Sequence, residues 1–148
     1  MTVTGRATLP APHAAVLAVL RAPQRLAIAL PNVDDLDWDA DDGSFHATIR
    51  PAIALGEMPF RTIWRPRDEP DGALRYRIEG RADEHWLGID AELSLTETGD
   101  TTDVEWSIDM QVSGTIRSAG QRVLSAVVTA QVQRVLDAVG REAVQGQE

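Results

Sequence analysis

The sequence predicts an α+β fold, a curved seven-stranded antiparallel sheet wrapped around one long C-terminal helix, with two short helices after the first strand. Three observations carry this expectation. Residues 103–112 (DVEWSIDMQV) alternate strictly, with Val104, Trp106, Ile108, Met110 and Val112 on one face and polar residues on the other, the period of a half-buried strand. Past a Ser113-Gly114 elbow the period becomes helical from Ile116 to Val139, and apolar residues cover well over half the helix circumference. Between residues 33 and 102, turn dipeptides such as Asp42-Gly43, Asp71-Gly72 and Gly99-Asp100 separate alternating runs as hairpin turns do.

Taken in order, 2–9 (TVTGRATL) alternates Val3, Gly5, Ala7 and Leu9 and reads as the first strand. Pro12 suits a helix first turn, so 12–21 is a short helix, and Pro23 opens a second one through Leu30. Strands follow near 33–40, 44–53, 57–66, 73–81, 86–97 and 102–113, with further reversals around Leu55-Gly56 and Gly80–Glu84. A helix of about 24 residues is about 36 Å long, and a ten-residue strand spans about 33 Å. Helix and sheet therefore match in length, and a curved sheet gripping the helix is the economical packing. Curvature of this kind leaves a cavity between the two layers. Gly120 falls inside the predicted helix, where it costs roughly 1 kcal/mol relative to Ala; close approach to Trp106 would account for it.

The 148 residues read as a single domain over 1–148, long enough for a real core. A net charge of −9 disfavours nucleic acid and anionic membrane surfaces as partners. All fourteen basic residues are arginine. There is no cysteine, hence no disulfide, thiolate metal site or cysteine nucleophile. No run of apolar residues is long enough to span a membrane, and the first residues lack a signal-peptide layout, so a cytoplasmic protein is expected. The acidic run 34–42 (DDLDWDADD) has the spacing of a calcium loop at Asp37, Asp39 and Asp41, but Asp42 replaces the required glycine and Thr48 the bidentate glutamate. It reads instead as the solvated face of an edge strand. Neither a nucleotide, zinc nor serine-hydrolase motif occurs, and no cofactor, metal or catalytic constellation is predicted.

Strand parity selects the side chains facing the helix. Among them Met58, Phe60, Trp64 and Tyr76 are large or adaptable enough to line a cavity for a hydrophobic ligand. Gln131 lies within the apolar arc of the helix beside Val127, Val128 and Val135, and a buried amide there needs a partner or serves as a polar handle. Arg134 falls in the same arc and is expected to snorkel outward. His85 shares parity with Leu87 and Ile89 and is placed at a cavity mouth beside Trp86, whereas His46 points outward and His13 is expected to be exposed. Trp86 and Ile63 have outward parity, and whether they form one patch depends on strand order.

Three stretches resemble the family of the carbon monoxide dehydrogenase G subunit, within the START-like (SRPBCC, helix-grip, Bet v 1-like) superfamily that includes polyketide cyclases. These are 26–36 (LAIALPNVDDL), 80–89 (GRADEHWLGI) and 111–124 (QVSGTIRSAGQRVL), the last bearing Gly114, Gly120 and Arg122 at the strand-to-helix junction. The resemblance covers nearly the whole chain. In the first stretch Ala29, Pro31 and Asn32 stand where the family usually has Cys and Pro-Gly, and Ala82–Trp86 replaces a glycine-rich turn. The resemblance implies the helix-grip fold and an accessory role beside a molybdenum-containing dehydrogenase complex. The aromatic inner faces point to non-catalytic binding of a quinone- or lipid-like molecule. A polyketide cyclase or dehydratase-like enzyme is the alternative, with His85, Tyr76, Gln131 and Arg75 or Arg77 as its only polar candidates.

Overall fold

The first strand and the last one lie side by side, residues 2–9 pairing antiparallel with residues 102–109. The structure is a computed structural model describing residues 1–30, 33–39, 41–50, 52–53, 56–57, 59–67, 73–118 and 120–145. Its elements are β1 (Thr2–Leu9), α1 (His13–Arg21), α2 (Pro23–Ala29), β2 (Val33–Trp38), β3 (Phe45–Ile49), β4 (Ala52–Ile53), β5 (Gly56–Glu57), β6 (Phe60–Arg67), β7 (Leu74–Ala82), β8 (His85–Thr98), β9 (Thr101–Val112), α3 (Gly114–Arg117) and α4 (Gln121–Gln145). Seven strands form one antiparallel sheet in the order β1-β9-β8-β7-β6-β3-β2. Seven strands, two early helices and the long last helix all match the sequence-based expectation.

Two stretches differ. The strand expected over 44–53 stops at Ile49, and Ala52–Ile53 pairs with Gly56–Glu57 as a separate two-stranded hairpin. Proline at position 51 lacks the N–H that a continued ladder would need. The helix expected from Ile116 is also broken, into a single turn, α3, and the 25-residue α4. Gly120 lies at the break with φ +97°, and its carbonyl accepts the first α4 bond from Leu124 N at 3.1 Å. No atom outside its immediate neighbours lies within 4 Å of where its Cβ would be, so backbone conformation requires this glycine, not contact with Trp106.

Close packing uses other glycines. The Trp106 ring lies over Gly5, its Cα partner in the β1–β9 ladder, and a Cβ there would sit 2.3 Å from Cζ2. Gly140 of α4 lies against the end of β1, where a Cβ would meet Pro10 Cδ at 3.1 Å.

The short helices follow from proline placement. α1 ends at Ala22, the residue before Pro23, where helical backbone is disfavoured. Pro23 then starts α2, where its missing N–H has no cost. Val16, Val19 and Leu20 form the buried stripe of α1. At the start of α1 His13 is half-buried rather than exposed.

Turn chemistry varies. Gly99-Asp100 is a two-residue turn between paired Thr98 and Thr101. Asp83-Glu84 is another, with Asp83 taking φ +53° where a glycine was not available. Around Asp42-Gly43 the loop is wider than two residues, closed by Asp39 N donating to Ser44 O at 2.8 Å. The Asp42 carboxylate accepts from Ser44 Oγ at 2.7 Å and Ser44 N at 2.8 Å. Those two bonds hold its pKa below the usual aspartate value, the hydroxyl contributing most. Asp71-Gly72 lies outside the described residues.

Gly5→Ala should lower stability by about 2 kcal/mol through overpacking against Trp106. Gly114→Ala, with nothing near its Cβ position, should be neutral, and urea midpoints will compare them. Ser44→Ala should raise the Asp42 pKa, as read from its carboxyl carbon shift. In the native chain the stabilisation tied to this carboxylate is present above the ordinary aspartate pKa and fades as pH falls through the depressed value. The variant should lose the share of that acid-limb dependence owed to the hydroxyl, the bond from the backbone N–H of residue 44 remaining.

Candidate functional site

Among the described residues the backbone of α4 runs closest to β1, α1 and α2. Near its C-terminus, Leu136, Val139, Gly140 and Ala143 are buried. Arg25 of α2 pairs there with Glu142 at 3.4 Å. At the other end, the elbow is tied down by Ser113, whose N–H donates to Trp86 O at 3.0 Å and whose hydroxyl accepts from Trp86 N at 3.4 Å.

Between these anchors the facing side chains are apolar but only half-buried. The sheet presents Trp64, Ile89, Ala91 and Val112, and the helix presents Val128, Val132 and Val135. They are less covered than Leu136 and Val139, which are fully enclosed near the helix C-terminus. Gln131 is half-buried on the same helix face, and neither of its polar atoms is buried without a partner. Arg134 is exposed, as snorkelling requires.

The aromatic residues form one stack on the inner face. Phe45 and Trp64, Cα partners in the β3–β6 ladder, stack at 5.3 Å between centroids, and Trp64 meets Tyr76 edge-on at 6.3 Å. Trp64 Nε1 donates to Thr62 Oγ1 at 2.8 Å, which in turn donates to Ala47 O at 2.7 Å. This chain fixes the indole while leaving its ring face to the gap. Phe60 is buried beside them, paired with Ile49. Tyr76 is buried too, and its hydroxyl donates to Leu20 O of α1 at 3.1 Å, which makes it a tie between sheet and helix. Met58 lies outside the described residues. Arg75 and Arg77 turn to the outer face, paired with Glu92 at 3.3 Å and Asp90 at 3.0 Å.

A pocket of about 380 Å³ opens beside the elbow, lined by Met1, Met110, Val112 and Leu124, with Trp86, Gln111, Arg117 and Gln121 also in its wall. Trp86 therefore stands at the elbow, although its strand parity points it outward. His85 begins β8 at this same end of the sheet and is half-buried, and its Nδ1 is buried with no hydrogen-bond partner among the described residues. The other such atom is Trp106 Nε1, on an indole 4% exposed. Each such orphan costs about 1–3 kcal/mol.

Sequence reading missed Met1, Leu124, Arg117 and Gln121 as pocket residues. Met110 and Val112 were legible as inward by alternation. Leu124, Arg117 and Gln121 depend on the helix break, whose only trace in sequence is the small-residue run Ser118–Gly120, and Met1 on the pairing of the first strand with the last.

The sequence profile of the carbon monoxide dehydrogenase G subunit (CoxG) matches residues 5–144. The chain belongs to that family. Comparison of this CoxG-family chain with curated proteins returned no match. Among solved structures, it is similar to a conserved protein from Geobacillus kaustophilus, at 18% identity and TM-score 0.85 over 98% of this chain and 96% of that one. It is also similar to the Zhui aromatase/cyclase from Streptomyces sp. R1128, at 17% identity and TM-score 0.70 over 100% and 96%. A START superfamily protein from Mycobacterium smegmatis gives 11% identity and TM-score 0.72 over 97% of each chain. At these identities the likenesses speak for the fold, which is START-like. No helix among the described residues of this CoxG-family chain is long and apolar enough to cross a membrane.

Tyr76→Phe removes the tie to the α1 carbonyl and nothing apolar. It should cost about 1 kcal/mol of stability in urea titration, with the inner-face aromatic stack retained by near-ultraviolet circular dichroism.

Proposed function

We propose that this CoxG-family chain binds a hydrophobic small molecule, quinone- or lipid-like, between α4 and the inner face of the sheet. The observation that carries the reading is that apolar side chains on both facing surfaces, Trp64, Ile89, Ala91 and Val112 on the sheet and Val128, Val132 and Val135 on the helix, are only half-buried. Apolar area left wet in a protein interior is a standing cost of roughly 25 cal/mol per Å². An apolar ligand relieves that cost. The elbow pocket, with Met110 and Leu124 inside and Arg117 and Gln121 at its wall, is the proposed entrance.

Phe60, Trp64, Tyr76 and Met58 are the proposed sheet-side wall, with Trp86 and His85 at the mouth. Gln131 and His85 Nδ1 are the polar handles for a ligand oxygen. Family membership supports an accessory role beside a molybdenum-containing dehydrogenase complex, with the ligand as the molecule exchanged there. The second reading, a polyketide cyclase or dehydratase-like enzyme in the same cavity, draws support from His85, whose buried nitrogen has no partner among the described residues. Its other polar candidates are engaged: Tyr76 with Leu20 O, Arg75 and Arg77 with outer-face carboxylates.

Native mass spectrometry of gently isolated protein should reveal a bound apolar molecule. Titration with a short-chain quinone and a fatty acid should give saturable binding to the emptied protein. Val132→Trp, which fills the gap from the helix side, should weaken that binding at least about tenfold, or about 1.4 kcal/mol, without lowering the melting temperature. Absence of both a co-purified molecule and a titratable one removes the reading. Turnover of a polyketide-type substrate that is lost in His85→Ala with binding intact would favour the enzyme.

A further inference from the structure

We propose that the outer face of the sheet carries a second binding site, one for a carboxylate or phosphate group borne on a flat apolar molecule. It is separate from the gap beneath α4. Six of the fourteen arginines project from this face on just two strands. In the β6–β7 ladder Arg61 stands opposite Arg81, Arg65 opposite Arg77, and Arg67 opposite Arg75. Like charges directly opposite in a ladder are destabilising, so each pair needs a compensating partner or a use.

The middle of this stripe is compensated. Glu79 takes Arg65 at 3.8 Å and Arg77 at 3.6 Å, and Asp90 takes Arg77 at 3.0 Å. Glu92 takes Arg75 at 3.3 Å. Arg61 and Arg81 make no ion pair or hydrogen bond from their side chains among the described residues. Arg61 and Arg81 thus face each other as two cations with no carboxylate bound to either among the described residues.

The register shows what surrounds them. One outward row across the sheet runs Thr48, Arg61, Arg81, Trp86; the next runs His46, Ile63, Glu79, Gly88. Between the two rows the backbone of Ala47, Thr62, Gly80 and Leu87 forms a floor. The result is a groove of about 570 Å³ across these four strands, the size of a small-molecule site, with Asp35 of β2 at its far edge, where its carboxylate accepts from Thr48 Oγ1 at 3.4 Å. Gly88 keeps one wall low: a Cβ there would lie 2.7 Å from Arg77 Nη2, which occupies the space instead. Trp86 is 43% exposed at the β8 end, and Ile63 lines the groove as well. The two outward apolar residues thus share one site, because only β7 separates their strands.

Two guanidinium forks on paired positions match the oxygens of a carboxylate or phosphate, which arginine holds bidentately. The exposed indole beside them offers a flat apolar surface of a kind that stacks on aromatic rings. Among the described residues, paired guanidinium groups beside an exposed indole are absent from the apolar interior proposed above for the hydrophobic molecule.

The test is NMR titration of the full chain with 2-naphthoate and its neutral isostere 2-naphthamide. Trp86 indole and arginine Nε–H signals are assigned from W86F, R61Q and R81Q. 2-Naphthoate should move the Trp86, Arg61 and Arg81 signals saturably, and 2-naphthamide should bind at least about tenfold more weakly. R61Q/R81Q should lose at least about tenfold in affinity while keeping or gaining stability, since a like-charge pair is removed. R6Q, whose arginine pairs with Glu105 at 3.2 Å away from the groove, should bind as the unmodified chain does. Equal binding of acid and amide, or affinity unchanged in R61Q/R81Q, overturns the site. So do shifts centred on Trp64, which would place the probe beneath α4 and speak to the interior site instead.

Discussion

The contact between α4 and the end of β1 governs the rest of this molecule. It is made by an absence of side chain, with Gly140 lying on Leu9 and Pro10. Any larger residue there would lift the helix from the first strand and from Leu136, Val139 and Ala143, the buried residues around it. Thr102, fully buried on the last strand, donates to Ala11 O at 2.8 Å and locks the β1–α1 connection into the same corner. This corner holds the C-terminal end of the helix, and the Ser113 elbow, bonded to Trp86, holds the chain where it leaves the sheet.

Each strand carries two programmes at once. Odd and even positions of β6 and β7 send Trp64, Ile78 and Tyr76 to the interior and six arginines to the outside. The inner programme is that of a CoxG-family container: a stack of aromatic rings pinned by short hydrogen bonds and opposed by a valine-rich helix face. On the outer face the arrangement is electrostatic, with Arg65, Arg75 and Arg77 answered by carboxylates on β7 and β8. Arg61 and Arg81 escape that compensation because the residue opposite Arg81 on β8 is Trp86 rather than an acid. A tryptophan in that register position changes the outer face from a neutralised surface to one with charge and flat apolar area side by side.

Much of this was legible beforehand, for a simple reason. A strand's side-chain period is two, so parity alone assigned Trp64, Tyr76, Met110 and Val112 inward and Arg75, Arg77, Ile63 and His46 outward. The helix pattern likewise placed Gln131 on the gap side and pushed Arg134 to solvent. Gly120 was misread because a glycine within a helical pattern looks the same whether it permits close packing or a positive φ. The break there created the elbow pocket, so Leu124, Arg117 and Gln121 could not be recognised as its wall. Tyr76 read as a cavity residue since its inward direction was evident, but the carbonyl that captures its hydroxyl comes from a helix 56 residues away.

By itself, then, the sequence determined the succession of elements, the two faces of every strand and the family, because these depend on local period and short motifs. Tertiary structure alone decided the distances between layers. It decided that α4 rests on β1, and that Trp86 and Ile63 share one groove. It also decided that Arg61 and Arg81 remain unpaired beside each other among the described residues. These outcomes depend on strand order and on contacts between residues far apart in the chain, which no local pattern encodes.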